Sequence, residues 1–167
     1  LAAFWMEFDN ETVQVSGEDT EFTSIGHARH RGVELAAQVD LARVFGWRTN
    51  PFVNVRYTFT DARVVGDRSN ADGSVRATDG HMVPYAVPHT VMTTLGVEHP
   101  IGFTAQASWL HVSRHYTDLD NREEPSADGL FGPISAFDTF DLTARYTHRG
   151  TGLGVGLSVK SVQGYAT

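Results

Sequence analysis

The chain has 167 residues, 41% of them hydrophobic and 20% charged, and carries a formal net charge of −7. This length supports one domain with a core, the negative charge argues against nucleic acid as a partner, and the absence of cysteine excludes disulfides and thiolate metal sites. No run of 18 apolar residues occurs, which excludes a helical membrane protein; a β-barrel is compatible, because half of each barrel strand faces a polar lumen.

Strict alternation of apolar and polar residues predicts strands along most of the chain. The first predicted strand, 2–16, begins with Phe4, Met6 and Phe8 and then changes parity, which predicts a β-bulge near Asn10. Six further strands are predicted at 31–42, 51–61, 90–98, 102–116, 137–147 and 151–162. In the clearest of these, one face is apolar and free of charge, and the opposite face carries the charged residues.

The length of the strands and of their connections favours a membrane barrel over a soluble sandwich. The predicted strands have roughly 10–15 residues, whereas soluble strands have about five or six and membrane strands need about 9–11. Short turns alternate with long polar segments, as in barrels with short periplasmic turns and long external loops. The short turns are 43–48, 98–102 and 147–152, and the long segments are 17–30, 62–88 and 117–135. Aromatic residues near strand ends, Trp5, Trp47, Trp109, Tyr116, Tyr146 and Tyr165, fit interfacial girdles.

Sites for metals or catalysis are not indicated. His111 and His115 share a strand face but lie about 13 Å apart along it, too far to chelate one ion. The acidic segment 118–128 resembles a calcium loop, but Arg122 stands where an oxygen ligand is needed. No G-x-S-x-G elbow or phosphate-binding glycine motif occurs. We therefore expect no cofactor, no bound metal and no enzymatic activity.

Five segments, in chain order, resemble sequence motifs of TonB-dependent outer-membrane receptors. The segment 30–35 resembles the "rGvEl" strand opening, and 83–90 resembles the "vPyaPrht" entry to a strand. The segment from Asp118 through Ile134 resembles an external loop of ferric-citrate-type receptors. Two strand segments follow, of which 140–146 is similar to "vfDltarY" and 157–162 to "l.vkNlfd", with Ser161 where asparagine is usual and Gln163-Gly164 in place of the aromatic-acidic pair.

The resemblance implies an all-β, antiparallel transmembrane barrel segment of about seven meander strands from a barrel of twenty-two. Residues 1–167 would then be a partial receptor barrel domain, without the plug, the early strands and the final strand; no signal peptide precedes Leu1, and we expect a part of a longer protein. It also implies import of a ferric chelate, ferric citrate or another siderophore, across the bacterial outer membrane. The implied partners are outer-membrane lipid and, through the missing plug, the TonB–ExbB–ExbD system.

Contacts to an anionic chelate are expected on the external loops, since arginine binds carboxylates through two parallel hydrogen bonds. The expected contacts are His27, Arg29, Arg68, Arg76 and His81. Ordinary solvated loop charge is the alternative for each of them. For the whole chain, one alternative is a soluble β-sandwich or calyx that binds a small apolar ligand, and the other is a barrel enzyme with a nucleophile–base pair in its lumen.

Overall fold

A computed structural model of the chain describes residues 1–9, 12–15, 21–24, 26–69, 75–160 and 164–165. In chain order its elements are β1 (Ala2–Asp9), β2 (Thr12–Val15), β3 (Glu21–Ser24), β4 (His27–Asp40), α1 (Leu41–Phe45), β5 (Asn50–Val65), β6 (Arg68–Ser69), β7 (Val75–Arg76), β8 (His89–His99), β9 (Phe103–Val112), β10 (His115–Tyr116), β11 (Pro133–Ile134), β12 (Phe137–Thr147), β13 (Gly154–Lys160) and β14 (Gly164–Tyr165).

The long strands form one meander sheet. Their order is β1-β4-β5-β8-β9-β12-β13, so each long strand lies beside its neighbours in the chain, and β14 also pairs with β12. Three small hairpins, β2–β3, β6–β7 and β10–β11, lie outside this sheet. The all-β antiparallel fold predicted from alternation is confirmed; within the described residues β1 and β13 end the order and the sheet is not closed.

The first hairpin differs from the sequence prediction. Asp9 pairs with His27, and Thr12 pairs with Ser24. The bulge predicted near Asn10 lies outside the described residues. The expected long loop 17–30 is shorter, because β3 and the first four residues of β4 fall within it.

The short connections occur where the sequence predicts them. The first contains the five-residue helix α1, which ends at Gly46 with φ 70°, a left-handed conformation that glycine adopts without steric cost. The second turns at Gly102, whose amide donates to the carbonyl of His99 at 3.0 Å. The third closes with the Gly152 amide on the carbonyl of His148 at 2.9 Å. No helix in the described part of the chain is long and apolar enough to span a membrane.

Cross-strand pairing aligns the apolar residues of β8, β9, β12 and β13 on one face. One row across these strands is Leu95, Ala107, Leu142 and Val159, and the next is Val97, Ala105, Ala144 and Leu157. These rows line a shallow apolar depression of about 560 Å³ that is open to the outside. Leu142, one of the residues that line it, is 56% exposed. On the opposite face hydroxyl groups pair across strands, as in Thr143 with Ser158 at 3.2 Å.

The chain divides into two compact units. The first, the loop unit, comprises residues 1–34, 58–89 and 113–136; the second, the strand unit, comprises 35–57, 90–112 and 137–167. Every buried residue in the described chain belongs to the loop unit. Its apolar core consists of Ala28, Ala62, Val64, Val83 and Leu119.

Candidate ligand-binding loops

Two loops of the loop unit pack on one face of β4 and β5. Ala28, Ala62 and Val64 are each 1% exposed, and they are covered by Val83 and Leu119, which belong to the two loops. The strand residues at this contact are small, so loop backbone can approach the sheet closely. We call residues 77–88 the first loop and residues 117–132 the second loop.

Backbone hydrogen bonds fix the first loop. The amide of Val64 donates to the carbonyl of His81 at 2.9 Å, and the amide of Val83 donates to the carbonyl of Ala62 at 3.1 Å. The Tyr85 amide donates to the carbonyl of Tyr116 at 2.7 Å, which joins the loop to β10. The first loop therefore extends the β5 edge in an irregular form.

Asn121 joins the second loop to the first. Its Oδ1 accepts the Met82 amide at 2.6 Å, and its Nδ2 donates to the Met82 carbonyl at 3.0 Å, so the side chain imitates a paired strand residue. Its φ of 51° is left-handed, a conformation that asparagine tolerates better than most residues. His81 adds another bond between the two loops, because its Nδ1–H donates to the Leu119 carbonyl at 2.8 Å.

Buried polar residues fix both loops. Asp118, 8% exposed, accepts the Asp120 amide on Oδ1 at 2.9 Å and the Gly132 amide on Oδ2 at 3.0 Å. Thr78, fully buried, donates its hydroxyl to the Gly66 carbonyl at 3.2 Å. Because buried polar groups cost free energy unless they are bonded, these contacts select one conformation for each loop.

Charged side chains lie on the outer surface of the loops in two groups. In the first, Arg76 and Arg122 both contact Oδ2 of Asp120. Each guanidinium is about half exposed and has five N–H donors, so donors remain for a ligand.

In the second group, Glu123 binds Arg114 at 2.6 Å and accepts the Tyr116 hydroxyl at 2.7 Å. The Tyr116 hydroxyl and then the Arg114 guanidinium hold the pKa of Glu123 below its usual value. The same hydrogen bond raises the pKa of Tyr116. The pair therefore favours an ionised Glu123 beside a neutral Tyr116.

Tyr85 is the strained aromatic residue of the first loop. Its φ is 61°, which is unusual for a residue with a bulky side chain, and 61% of its surface is exposed. Strained backbone of this kind persists only where the surroundings hold it, and it is frequent at ligand-binding sites. The residue lies within the "vPyaPrht" resemblance, but its conformation could not be read from those letters.

The five expected ligand contacts fall into separate places. Arg76 and His81 belong to the loop network described above. The backbone of Arg68 pairs with Arg76, and its side chain lies outside the described residues. His27 and Arg29 lie on the face of β4 that also carries Val33, opposite to the face of Ala28 that the loops cover.

Three aspartates of the acidic segment 118–128 use their carboxylates within the protein. Asp118 accepts two amides, Asp120 accepts the two arginines, and Asp128 Oδ1 accepts the Ser126 hydroxyl and the Leu130 amide. In the described ranges, no group of three or more histidine, cysteine or acidic side chains has an arrangement that could hold a metal ion.

The meander sheet, its exposed apolar face and the packed loops agree with a comparison to protein families. A family model described as TonB dependent receptor-like, beta-barrel, matches residues 1–162. The chain belongs to this family. Proteins of the family are outer-membrane receptors that import ligands through TonB coupling. Searches of curated proteins and of solved structures gave no match.

Several residues in the segments that resemble receptor motifs fix the conformation of the second loop and of β4. In the segment 118–134, which resembles a receptor loop, the bonds that fix the second loop come from Asp118, Asn121 and Gly132. The receptor-like "rGvEl" segment has its glycine at position 32, where an added Cβ would lie 2.1 Å from the Phe59 carbonyl oxygen and 2.5 Å from the Phe4 ring. These residues of the resembling segments thus set backbone conformation.

Proposed function

We propose that this chain forms part of the barrel of a receptor that imports a ferric chelate, ferric citrate or a related siderophore, across the outer membrane. Energy would come from TonB, ExbB and ExbD acting through the plug of the complete receptor. The observation that carries the proposal is the pair of bonded loops on one face of β4 and β5, in a chain of the receptor family. The similarity of 118–134 to the loop of ferric-citrate-type receptors supports the choice of ligand.

The loops offer chemistry suited to a carboxylate-bearing chelate. Arg76 and Arg122 flank a single carboxylate, Asp120, and retain exposed N–H donors. A ligand carboxylate can share or replace Asp120 as the acceptor, because guanidinium binds such groups in a bidentate manner. Tyr85 adds an exposed ring beside the loop junction at Tyr116.

Among the five expected contacts, we retain Arg68, Arg76 and His81 as ligand-side residues of this proposal. Arg76 would contact the chelate, and His81 would position the second loop through Leu119. His27 and Arg29 occupy the other face of β4, and Arg29 is considered separately below.

Nothing in the described residues favours the soluble alternative. A β-sandwich or calyx covers the apolar face of one sheet with another, about 10 Å away. Here the apolar rows of β8, β9, β12 and β13 are uncovered.

Uptake of radioactive iron tests the proposal. Cells that lack their own ferric receptors would express the complete gene, and uptake of ferric citrate would be compared with uptake of ferric hydroxamates, with and without TonB. We expect TonB-dependent uptake that favours ferric citrate. A folded receptor in the outer membrane that imports neither chelate would overturn the ferric-chelate assignment.

Paired variants separate ligand contact from loop structure. Arg76→Gln and Asp120→Asn each break the Arg76–Asp120 pair, but only the first removes the guanidinium. We expect Arg76→Gln to raise the KM for uptake about tenfold, the loss of one charge-assisted bond, and Asp120→Asn to leave it within about twofold. Arg43→Gln, in the exposed helix α1, is the matched control. Equal effects of Arg76→Gln and Asp120→Asn would assign Arg76 to loop structure alone.

A further inference from the structure

An arginine cluster lies on the face of the loop unit opposite to the packed loops. Cross-strand pairing of β1 with β4 places Trp5 beside Arg31, Glu7 beside Arg29 and Ala3 beside Val33. Because side chains alternate along a strand, these residues share one face with each other. Arg63 and Asp61 of β5 join the same face through hydrogen bonds. We define the arginine cluster as Arg29, Arg31 and Arg63.

Asp61 holds two of the three guanidiniums in place. Arg31 Nε donates to one carboxylate oxygen at 2.9 Å, and Arg63 Nε donates to the other at 2.8 Å. Arg63 Nη1 also donates to the Gly80 carbonyl at 3.0 Å. One carboxylate thus orients two cations, and most of their N–H donors are left for another acceptor.

Arg29 is held differently. Its guanidinium lies 5.5 Å from the centre of the Trp5 ring, and that of Arg31 lies 5.8 Å from it. The Nε of Arg29 is buried and has no hydrogen-bond partner in the described protein. A buried N–H without an acceptor is costly, and an acceptor from outside the chain would relieve that cost. The three arginines, with Asp61, Asp79 and Gly80, line an open depression of about 470 Å³.

The position of the cluster on its strand indicates a membrane boundary. Along β4, the face that carries Arg29 and Arg31 continues with Val33, which is 38% exposed. An arginine turned towards hydrocarbon is costly at the bilayer midplane and costs almost nothing at the interface. Trp5, 59% exposed, lies where the residues of this face change from apolar to basic. In membrane proteins tryptophan is enriched at the membrane–water interface. The change therefore falls at the level of the lipid headgroups.

We propose that the arginine cluster binds the phosphate of a phosphorylated lipid headgroup in the outer leaflet. The proposal rests on the proposed function, which puts the ligand-binding loops and the residues of β4 and β5 beneath them on the external side of the membrane. Arginine matches phosphate because its planar donors form two parallel charge-assisted bonds. A cluster in which one carboxylate orients two guanidiniums presents several such donors at once.

The strand unit has a similar boundary without the arginines. There Trp109 donates its Nε1–H to Asp138 at 2.8 Å, and His111 contacts the same carboxylate oxygen at 2.9 Å. These three residues bond to one another through the Asp138 carboxylate and include no arginine. A boundary of this kind needs no basic cluster, so the arginines of the loop unit require a separate explanation, which an anionic headgroup provides.

Binding of lipid A, a lipid with two phosphates, tests the proposal. The complete receptor would be placed in phosphatidylcholine vesicles that contain labelled lipid A, and energy transfer from the receptor to the label would report binding. The test variant combines Arg29→Gln, Arg31→Gln and Arg63→Gln. The matched control makes the same charge change in the exposed connections, with Arg43→Gln, Arg48→Gln and Arg149→Gln.

We expect the cluster variant to lose about tenfold or more in affinity for lipid A, and the control to stay within about twofold. Dephosphorylated lipid A should bind the unmodified receptor as weakly as lipid A binds the cluster variant. Unchanged affinity in the cluster variant would overturn the proposal. Displacement of lipid A by millimolar inorganic phosphate would also overturn it, and would assign the site to free phosphate.

A single variant keeps the test valid if the triple variant fails to fold. Arg29→Gln leaves the Asp61 pairs intact and still removes the unpartnered Nε. It should weaken lipid A binding severalfold, and no change would count against the proposal. The measurement involves no transport, so a receptor that imports no ferric chelate can still bind lipid A, and the two proposals can fail independently.

Discussion

The loop unit and the strand unit are stabilised by different means, although the strand β4 runs through both. In the loop unit Ala28 is 1% exposed and lies under packed loops. In the strand unit no described residue is buried, and Leu35 and Val39 of the same strand are 41% and 47% exposed. The comparison teaches that alternation has two meanings here, a protein core in one unit and an uncovered apolar face in the other.

Side-chain size follows this difference. On the loop-covered face the buried strand residues are alanine, glycine and valine, as at Ala28, Gly32 and Val64. On the apolar face of the strand unit, large residues such as Phe140, Leu142 and Leu157 are more than half exposed. Folded loops require close approach to the sheet, whereas lipid chains adapt to large side chains. A soluble domain would bury residues of both kinds.

The largest expected effect comes from a charge on the apolar face of the strand unit. Leu142→Arg places a guanidinium near the middle of β12 and should lower the free energy of unfolding by about 2–4 kcal/mol in lipid vesicles. Urea titration of the complete protein in vesicles measures this change. Gln106→Arg, on the opposite face of the neighbouring strand, is the control and should cost far less. Equal costs for the two variants would argue against lipid on the Leu142 face.

A smaller effect is expected from the core of the loop unit. Val64→Ala removes two methyl groups from a site that is 1% exposed, and should cost roughly 2–3 kcal/mol, including the cavity. Val65→Ala removes the same groups from the other face, where the residue is 44% exposed, and should cost little. Proteolysis within residues 117–132 reports the loosening of the second loop. Similar cleavage rates in the two variants would contradict a protein core at Val64.

Asn121→Ala should destabilise the loop unit less, by about 1–2 kcal/mol. It leaves the amide and carbonyl of Met82 without their partner and puts alanine at a positive φ. Asn121→Gly keeps the backbone relaxed and removes only the side-chain bonds, so it separates the two causes. Hydrogen exchange at the Met82 amide measures the local opening. Exchange as slow in the alanine variant as in the parent would exclude the proposed link between the loops.

Local sequence pattern predicts the long strands well, because each strand repeats one physical requirement at every second residue. The strand predicted at 137–147 coincides with β12, and the alternation also locates β8 and β13. The pattern does not reveal register, because an apolar parity change such as that after Phe8 looks the same with or without a bulge. The short helix α1 was missed for a different reason, since five residues are too few to display a helical period.

The loop contacts could not be predicted, because they join residues far apart in the chain. Asn121 and Met82 are separated by 39 positions, and no period connects them. Arg29 was expected on a ligand-binding loop, and only its pairing with Glu7 places it on the face of Val33. The receptor-like segments gave the correct family because conformational residues such as Gly32 and Asn121 carry that resemblance. They left the ligand open, since backbone conformation alone does not specify what the exposed side chains bind.

The smallest expected effect concerns pH and the exposed cluster of Arg114, Tyr116 and Glu123 in the loop unit. The Glu123 pKa is lowered from 4.5, so its contribution to loop stability is complete above that pH and is lost as the pH falls through the lower folded value. The Tyr116 pKa is raised from 10.0, so its contribution is complete below that pH and is lost as the pH rises. The hydrogen bond between them should therefore persist from about pH 4.5 to about pH 10, the unshifted values of the two groups. Carbon NMR of labelled glutamate can follow Glu123: Tyr116→Phe should move its titration back towards 4.5, and Glu124→Gln should leave it in place. A Glu123 titration that ignores Tyr116→Phe would mean that solvent, and not the loop, sets the ionisation of this surface, and the loop unit would then owe its order to buried contacts alone.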